Sequence, residues 1–174
     1  MKLESARLYY RKLLPIDDVD MFALDSNAEV HRYLHNNPYT DITQSRDYIA
    51  LVRAQYEQNG IGRMATILKE TGEFIGWAGL KLEHNVNGHE QFYDVGYRFI
   101  ERYRGNGYAT EAAIFFVNYG FEVLKLDKIN ASALSGNIAS RKALQKAGLE
   151  FLETYDYNGE ESVWLEIINP ASPR

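Results

Sequence analysis

Apolar positions in this chain switch period several times, and each switch marks an element. Alternation by two predicts strands at 8–14, closed by Pro15, at 63–69 and at 73–83, the last two joined across Thr71-Gly72. Helical spacing predicts helices at 16–25, with Asp17 and Asp18 suited to its first turn, and at 40–58, where Tyr48, Ile49, Val52 and Tyr56 form one stripe ended by Gly60 and Gly62. The polar segment 84–90 predicts a loose turn before a strand at 91–100. A helix at 109–123 follows, with Ala109, Ala112, Ala113, Phe116, Val117 and Gly120 on one close-packing face. Next come a strand at 128–134 and a helix running to about residue 146, with Asn137 as N-cap and Gly148 as C-cap. Strands at 150–157 and 162–168 form a hairpin around Asn158-Gly159, and the tail from Asn169 is expected to fray. Antiparallel hairpins on both sides of a central β-helix-β unit predict an α/β (α+β) fold. Its sheet is mixed, largely antiparallel and flanked by helices, not doubly wound, and one domain spans 1–168.

Composition narrows the function classes. A chain of 174 residues with 45% apolar and 25% charged positions is ordinary globular material and long enough to bury a core unaided. No cysteine is present, which removes disulfides, thiolate metal ligands and a cysteine nucleophile. The formal charge of −5 argues against nucleic acid as a partner, and an acidic surface suits a cationic substrate. No charged-then-apolar leader and no apolar run of membrane-spanning length stand out, so a cytoplasmic protein without a membrane partner is expected.

The densest chemistry lies at 94–118, which reads strand, basic glycine turn, amphipathic helix. N–H groups left free in a first helical turn, backed by the helix dipole, favour an anion, and Gly105 and Gly107 let a phosphate approach the backbone. Arg102 and Arg104 add positive charge. The turn is not a Walker loop, since no Gly-Lys-Ser/Thr follows, and it lacks the third glycine of a dinucleotide fingerprint.

With these residues the chain resembles the GCN5-related N-acetyltransferase family, in its branch of ribosomal-protein N-terminal acetyltransferases. The resemblance rests on Val95-Gly96-Tyr97, on Arg102-Tyr103-Arg104-Gly105-Asn106-Gly107-Tyr108-Ala109-Thr110-Glu111-Ala112, and on a second block from Asn137 through Leu149. It implies acetyl-CoA as co-substrate, wedged between two splayed strands. The pantetheine would pair with the strand end at Phe99 and Ile100. The pyrophosphate would sit on Arg104, Gly105, Asn106, Gly107, Tyr108 and Ala109, with Thr110 at the helix start. Asn137 and Ser140 would meet the thiol end.

Acetyl transfer to an amine requires the amine to lose a proton and the departing thiolate to gain one. Direct attack in a ternary complex is expected. The resemblance puts a carboxylate at Asp94, the candidate base; the alternative is an aspartate solvated or paired with Arg98, which shares its strand face. Glu111, in the first turn of a helix, suits a structural role. The tyrosine that often serves as acid in the family is replaced here by Leu144, and Ser140 takes that role, its alternative being a serine that caps its own helix.

His31 and His35 share helical spacing without further ligands, and His84 and His89 flank a polar turn, so no metal is expected. The tyrosines, among them Tyr9, Tyr10, Tyr33, Tyr39, Tyr93, Tyr97 and Tyr103, suit strand faces and core edges. The acceptor is an amine, either a protein N-terminus or a small molecule such as an antibiotic or polyamine. The resemblance places it near 31–39 and 155–161, where Glu160 and Glu161 would attract a cation. A non-catalytic acyl-CoA sensor and a nucleotide-binding protein are the other readings. A homodimer through edge strands is also open.

Overall fold

The computed structural model describes residues 3–173. Eight strands form one sheet in the order β1-β2-β3-β4-β5-β6-β8-β7. In chain order these are β1 (Leu3–Glu4), β2 (Leu8–Lys12), β3 (Met64–Leu68), β4 (Phe74–Val86), β5 (His89–Phe99), β6 (Lys128–Leu134), β7 (Glu150–Tyr157) and β8 (Glu160–Ile168). The helices are α1 (Asp18–Asp25), α2 (Ile42–Asn59), α3 (Tyr108–Glu122) and α4 (Ile138–Lys146). The mixed, largely antiparallel sheet with flanking helices is the architecture that the apolar pattern predicts.

Local chemistry accounts for the boundaries. Asp41 caps α2 by accepting from the Thr43 N–H at 2.7 Å, while Gln44 Oε1 accepts from the Asp41 N–H at 3.0 Å. The loose turn expected at 84–90 is instead a tight hairpin with Asn87-Gly88 at its tip, and β4 and β5 run on to Val86 and His89. Asn87 and Gly88 take φ of 48° and 73°, the left-handed pair that matches the twist of the flanking strands. Polar residues here face solvent from strands rather than marking a loop. The first helix also starts later than expected, since Pro15–Asp17 form a separate 3₁₀ turn.

Two cores sandwich the sheet. Leu8, Tyr10, Leu80, Val95, Ile129 and Leu165 pack with Phe116 and Val117 of α3 and Leu144 of α4 on one face. Leu13, Met21, Leu24, Ile49, Val52 and Tyr56 pack with Phe74 and Trp77 on the other. The buried Tyr56 hydroxyl ties α2 to the sheet, accepting from the Leu13 N–H at 3.0 Å and donating to the Arg63 carbonyl. The segment after β8 turns back, with the Asn169 N–H donating to the Asp127 carbonyl at 2.8 Å and Ser172 Oγ to Asp127 Oδ1 at 2.6 Å.

One junction breaks the antiparallel pattern. β5 and β6 run parallel, and only Asp94 and Asn130 register across them. Beyond that point they separate, and the space between them becomes the site.

Tyr56→Phe keeps the volume but orphans the buried Leu13 N–H, so it should lower unfolding free energy by about 1–3 kcal/mol, read by urea denaturation. Burial pushes the Tyr56 hydroxyl up to about 12 against a free value of 10. The folded state therefore keeps a proton that the unfolded chain releases. The stability this contributes is present below pH 10 and is lost as pH rises toward 12, which alkaline melts of the wild type and Tyr56→Phe should show as a smaller loss in the variant.

Candidate active site

The β5–β6 splay opens a cavity of about 210 Å³. Val95, Gly96 and Tyr97 line it from β5, Ser132, Ala133 and Leu134 from β6, and Asn137, Ser140 and Leu144 from α4 and its cap. Tyr33, Leu34 and His35 cover one side, and Tyr157 and Ser162 close the far end. Of the sequence-predicted residues, Asn137 and Ser140 line this cavity, as do Tyr33, Leu34 and His35 from 31–39 and Tyr157 from 155–161.

Asn137 caps α4, its Oδ1 accepting from the Ser140 N–H at 3.2 Å. That leaves the Ser140 hydroxyl free of its own helix start, and it meets a partner across the cleft instead. Tyr97 Oη lies 3.1 Å from Ser140 Oγ and 3.1 Å from the Ser140 carbonyl. Burial pushes the Tyr97 hydroxyl up to about 12, partly offset by the hydrogen bond with Ser140.

Asp94 sits at the closed end of the splay. The alternative reading pairs it with Arg98, but Arg98 turns to Asp25, with Nη1 2.5 Å from Oδ1. Arg63, just before β3, takes Asp94 instead. Its Nη2 pairs with the carboxylate, and its Nη1 donates to the Asp94 carbonyl at 2.9 Å and to the Gly79 carbonyl. Gly79 and Gly96 face each other across β4 and β5, and Gly96 makes room for the guanidinium. A Cβ on Gly96 would lie 2.8 Å from Arg63 Nη2. Arg63 and Arg98 both lie over the Trp77 ring, at 5.4 and 5.1 Å from its centroid. Burial raises the Asp94 carboxyl above its ordinary value, against the opposing pull of Arg63.

The glycine turn lies at the other end of β5. Gly107 precedes α3 with φ 81°, and no side chain caps the helix, so the first-turn N–H groups stay open. A Cβ on Gly105 would meet nothing within 4 Å, so this surface is free for a ligand. Arg104 makes no ion pair among the described residues. Arg102 stacks on Tyr103 at 4.7 Å. Phe99 and Ile100 send their side chains into opposite cores, and the Ile100 N–H is taken by the Ile75 carbonyl at 2.9 Å. Alternation then turns the Phe99 backbone groups toward the splay.

Glu111 is committed to holding this turn. It accepts from Ser5 Oγ at 2.6 Å, from the Arg7 N–H at 2.7 Å and from Arg7 Nε at 2.7 Å. Partial burial pushes its carboxyl up, but these bonds outweigh that and hold it below the ordinary range. Arg7 also donates to the Asn106 carbonyl at 2.8 Å and lies over Tyr108 at 4.5 Å.

The histidines do not gather. His31 is buried with Nε2 3.1 Å from Asp25 Oδ1, while His35 pairs with Glu160 and packs on Tyr157 at 5.5 Å. His89 stacks on Trp164 at 4.7 Å. Among the described residues no three His, Asp or Glu side chains come together as a metal site. None of their helices is long and apolar enough to cross a membrane. Arg63 went unflagged in the sequence, and Tyr97 reads there as part of the strand block and as packing, without its contact to Ser140. Arg63 lies far from Asp94 along the chain, and its one local signal is the pair of glycines that vacates its place.

A parallel splay beside an uncapped glycine turn at a helix start makes a cleft suited to an extended ligand with a phosphate at one end. Residues 7–150 match the acetyltransferase (GNAT) domain family, and the chain belongs to it. It is 33% identical over 153 residues to the uncharacterized N-acetyltransferase p20 of Bacillus licheniformis, covering 84% of each chain. Two solved structures share the fold. The ribosomal-protein-S5-alanine acetyltransferase of Vibrio fischeri has TM-score 0.76 and 17% identity, with 99% of this chain and 100% of that one covered. The spermidine N-acetyltransferase of Vibrio cholerae, in complex with CoA and spermine, has TM-score 0.75 and 18% identity, with 95% and 97% covered.

Arg63→Ala leaves Asp94 as an unpaired, largely buried carboxylate and should cost about 3–5 kcal/mol, read by urea denaturation at pH 7. Gly96→Ala should destabilise through the same pair, and adding Arg63→Ala to it should cost little more, because the two variants share one lost contact.

Proposed function

We propose that this GNAT acetyltransferase moves the acetyl group of acetyl-CoA to a primary amine by direct attack in a ternary complex. The observation that carries the reading is the splay of β5 from β6, with an uncapped glycine turn beyond β5, Asp94 where the strands part and Ser140 on the cavity wall. The pyrophosphate would take the open N–H groups at 105–110 with Arg102 and Arg104 beside it, and the pantetheine would lie along the β5 edge at Phe99 and Ile100. Asn137 holds the α4 start that presents Ser140 to the thioester.

In the transfer the amine nitrogen bonds the carbonyl carbon and the C–S bond breaks, the sulfur leaving with the electron pair. Asp94 takes the proton from nitrogen, Ser140 gives one to sulfur, and exchange with water restores both groups. Burial of Asp94 supports this assignment, because a raised carboxyl is a better base near neutral pH. The acceptor is a protein N-terminus or a small amine. Relatives of the fold include both a ribosomal-protein and a spermidine enzyme, and a cover holding Tyr33 and Tyr157, with Glu160 beside its His35, suits a cationic head.

Acetyl-CoA and CoA at about a hundred times their dissociation constants should each stabilise the fold by about 2.7 kcal/mol, seen as a melting shift that NAD and ATP do not give. A larger shift with NAD or ATP would reject the cofactor. A shift without thiol release across peptides, polyamines and amino acid derivatives would make the protein a sensor.

The pH profile of kcat/KM for the amine should carry an acid limb above the ordinary carboxylate range, with activity rising as Asp94 deprotonates. Asp94→Asn should abolish that limb. An unchanged limb would remove Asp94 as base.

A further inference from the structure

Ser140 has a single proton to offer, and the direction in which it points is set by its neighbour. Tyr97 Oη lies 3.1 Å from both the Ser140 carbonyl and Ser140 Oγ. A phenol also has one proton, so it donates to only one of these two acceptors at a time. When it donates to the carbonyl, its lone pair faces Oγ and draws the serine proton away from the cleft. When it donates to Oγ, the serine proton turns outward. Both side chains line the same cavity, and Leu144, which lines it too, has no hydroxyl.

We propose that Tyr97 is a positioning residue for acetyl transfer, donating to Ser140 Oγ so that the serine proton points at the departing sulfur. This rests on the transferase reading above and adds to it a residue on a different element. The tyrosine itself keeps its proton. Burial pushes its hydroxyl up to about 12, so it stays neutral and able to donate a hydrogen bond at ordinary pH. A neutral donor at Oγ stabilises the negative charge that develops on the serine oxygen as its proton moves to sulfur. The atoms balance without the phenol, because sulfur gains the serine proton and water replaces it.

Asp25 Oδ2, His31 Nδ1 and Trp77 Nε1 are buried without partners, but none of the three residues lines the β5–β6 cavity. The pairing of His35 with Glu160 bridges the cleft cover to the β7–β8 turn between half-exposed side chains.

The test compares Tyr97→Phe, Ser140→Ala and the double variant by steady-state kinetics with acetyl-CoA and the best amine found, alongside CoA melting shifts. Tyr97→Phe should lower kcat by roughly 10- to 100-fold while KM for acetyl-CoA and the CoA melting shift stay at wild-type values. The double variant should be no slower than Ser140→Ala, because the tyrosine acts only through the serine. Site-specific 3-fluorotyrosine at position 97, which keeps the hydroxyl, should restore kcat at neutral pH. A purely packing tyrosine would instead move the melting temperature or KM and leave kcat alone, and that result overturns the proposal. If Ser140→Ala slows the reaction and Tyr97→Phe does not, the tyrosine role fails and the transferase reading stands. If the wild type binds acetyl-CoA but releases no thiol with any amine, both fall together.

Discussion

The structure depends on two strands that stop pairing. β5 and β6 meet in parallel register only at Asp94 and Asn130, and past that point the ladder is abandoned. Unpaired strand edges are costly when buried, so a protein that keeps one inside its sheet must give it another partner or leave it facing a cavity. Here the cavity is kept open from both sides. On one side α3 and α4 pack on the sheet through Phe116, Val117 and Leu144. On the other, β8 pairs with β6 along its whole length and fixes it away from β5. The opening is thus a consequence of packing elsewhere, and a ligand with amide groups of its own is the natural occupant.

The closed end of the splay is held by charge. Arg63 threads over the Gly79-Gly96 pair and bonds two backbone carbonyls as well as the Asp94 carboxylate. A buried ion pair gains little net stability over a well-packed apolar pair, because both ions lose their water. What it contributes here is position. It fixes the Asp94 carboxylate at the point where the strands part, and it links β3, β4 and β5 at one spot. Arg98 and Asp25 repeat the arrangement nearby, and Trp77 lies under both guanidiniums. This face of the sheet therefore has a polar floor of two neutralised pairs rather than a net charge.

The open end is held by a different device. Glu111 accepts three hydrogen bonds from Ser5 and Arg7, and Arg7 reaches the Asn106 carbonyl. The segment between β1 and β2 thereby clamps the glycine turn at the start of α3. Loops that must present backbone N–H groups to an anion work best when their own shape is settled beforehand. The glutamate beside the turn serves that end and is not free for proton transfer.

Much of this was legible in the sequence for local reasons. Alternation and helical spacing fix most elements, Asn158-Gly159 fixes the last hairpin, and Asn137 caps α4 as its side chain requires. The glycine turn announces itself because its chemistry sits within a few consecutive residues. That β5 and β6 register only at Asp94 and Asn130 was not legible, nor was the turning of Arg98 to Asp25 and of Arg63 to Asp94, nor the meeting of Tyr97 with Ser140. Each joins residues far apart in the chain, and no periodicity records which distant side chain fills a gap. A strand tyrosine reads as packing until the helix that faces it is in place. Local propensity decided the elements, and long-range packing decided which polar groups were left to face one another in the cleft.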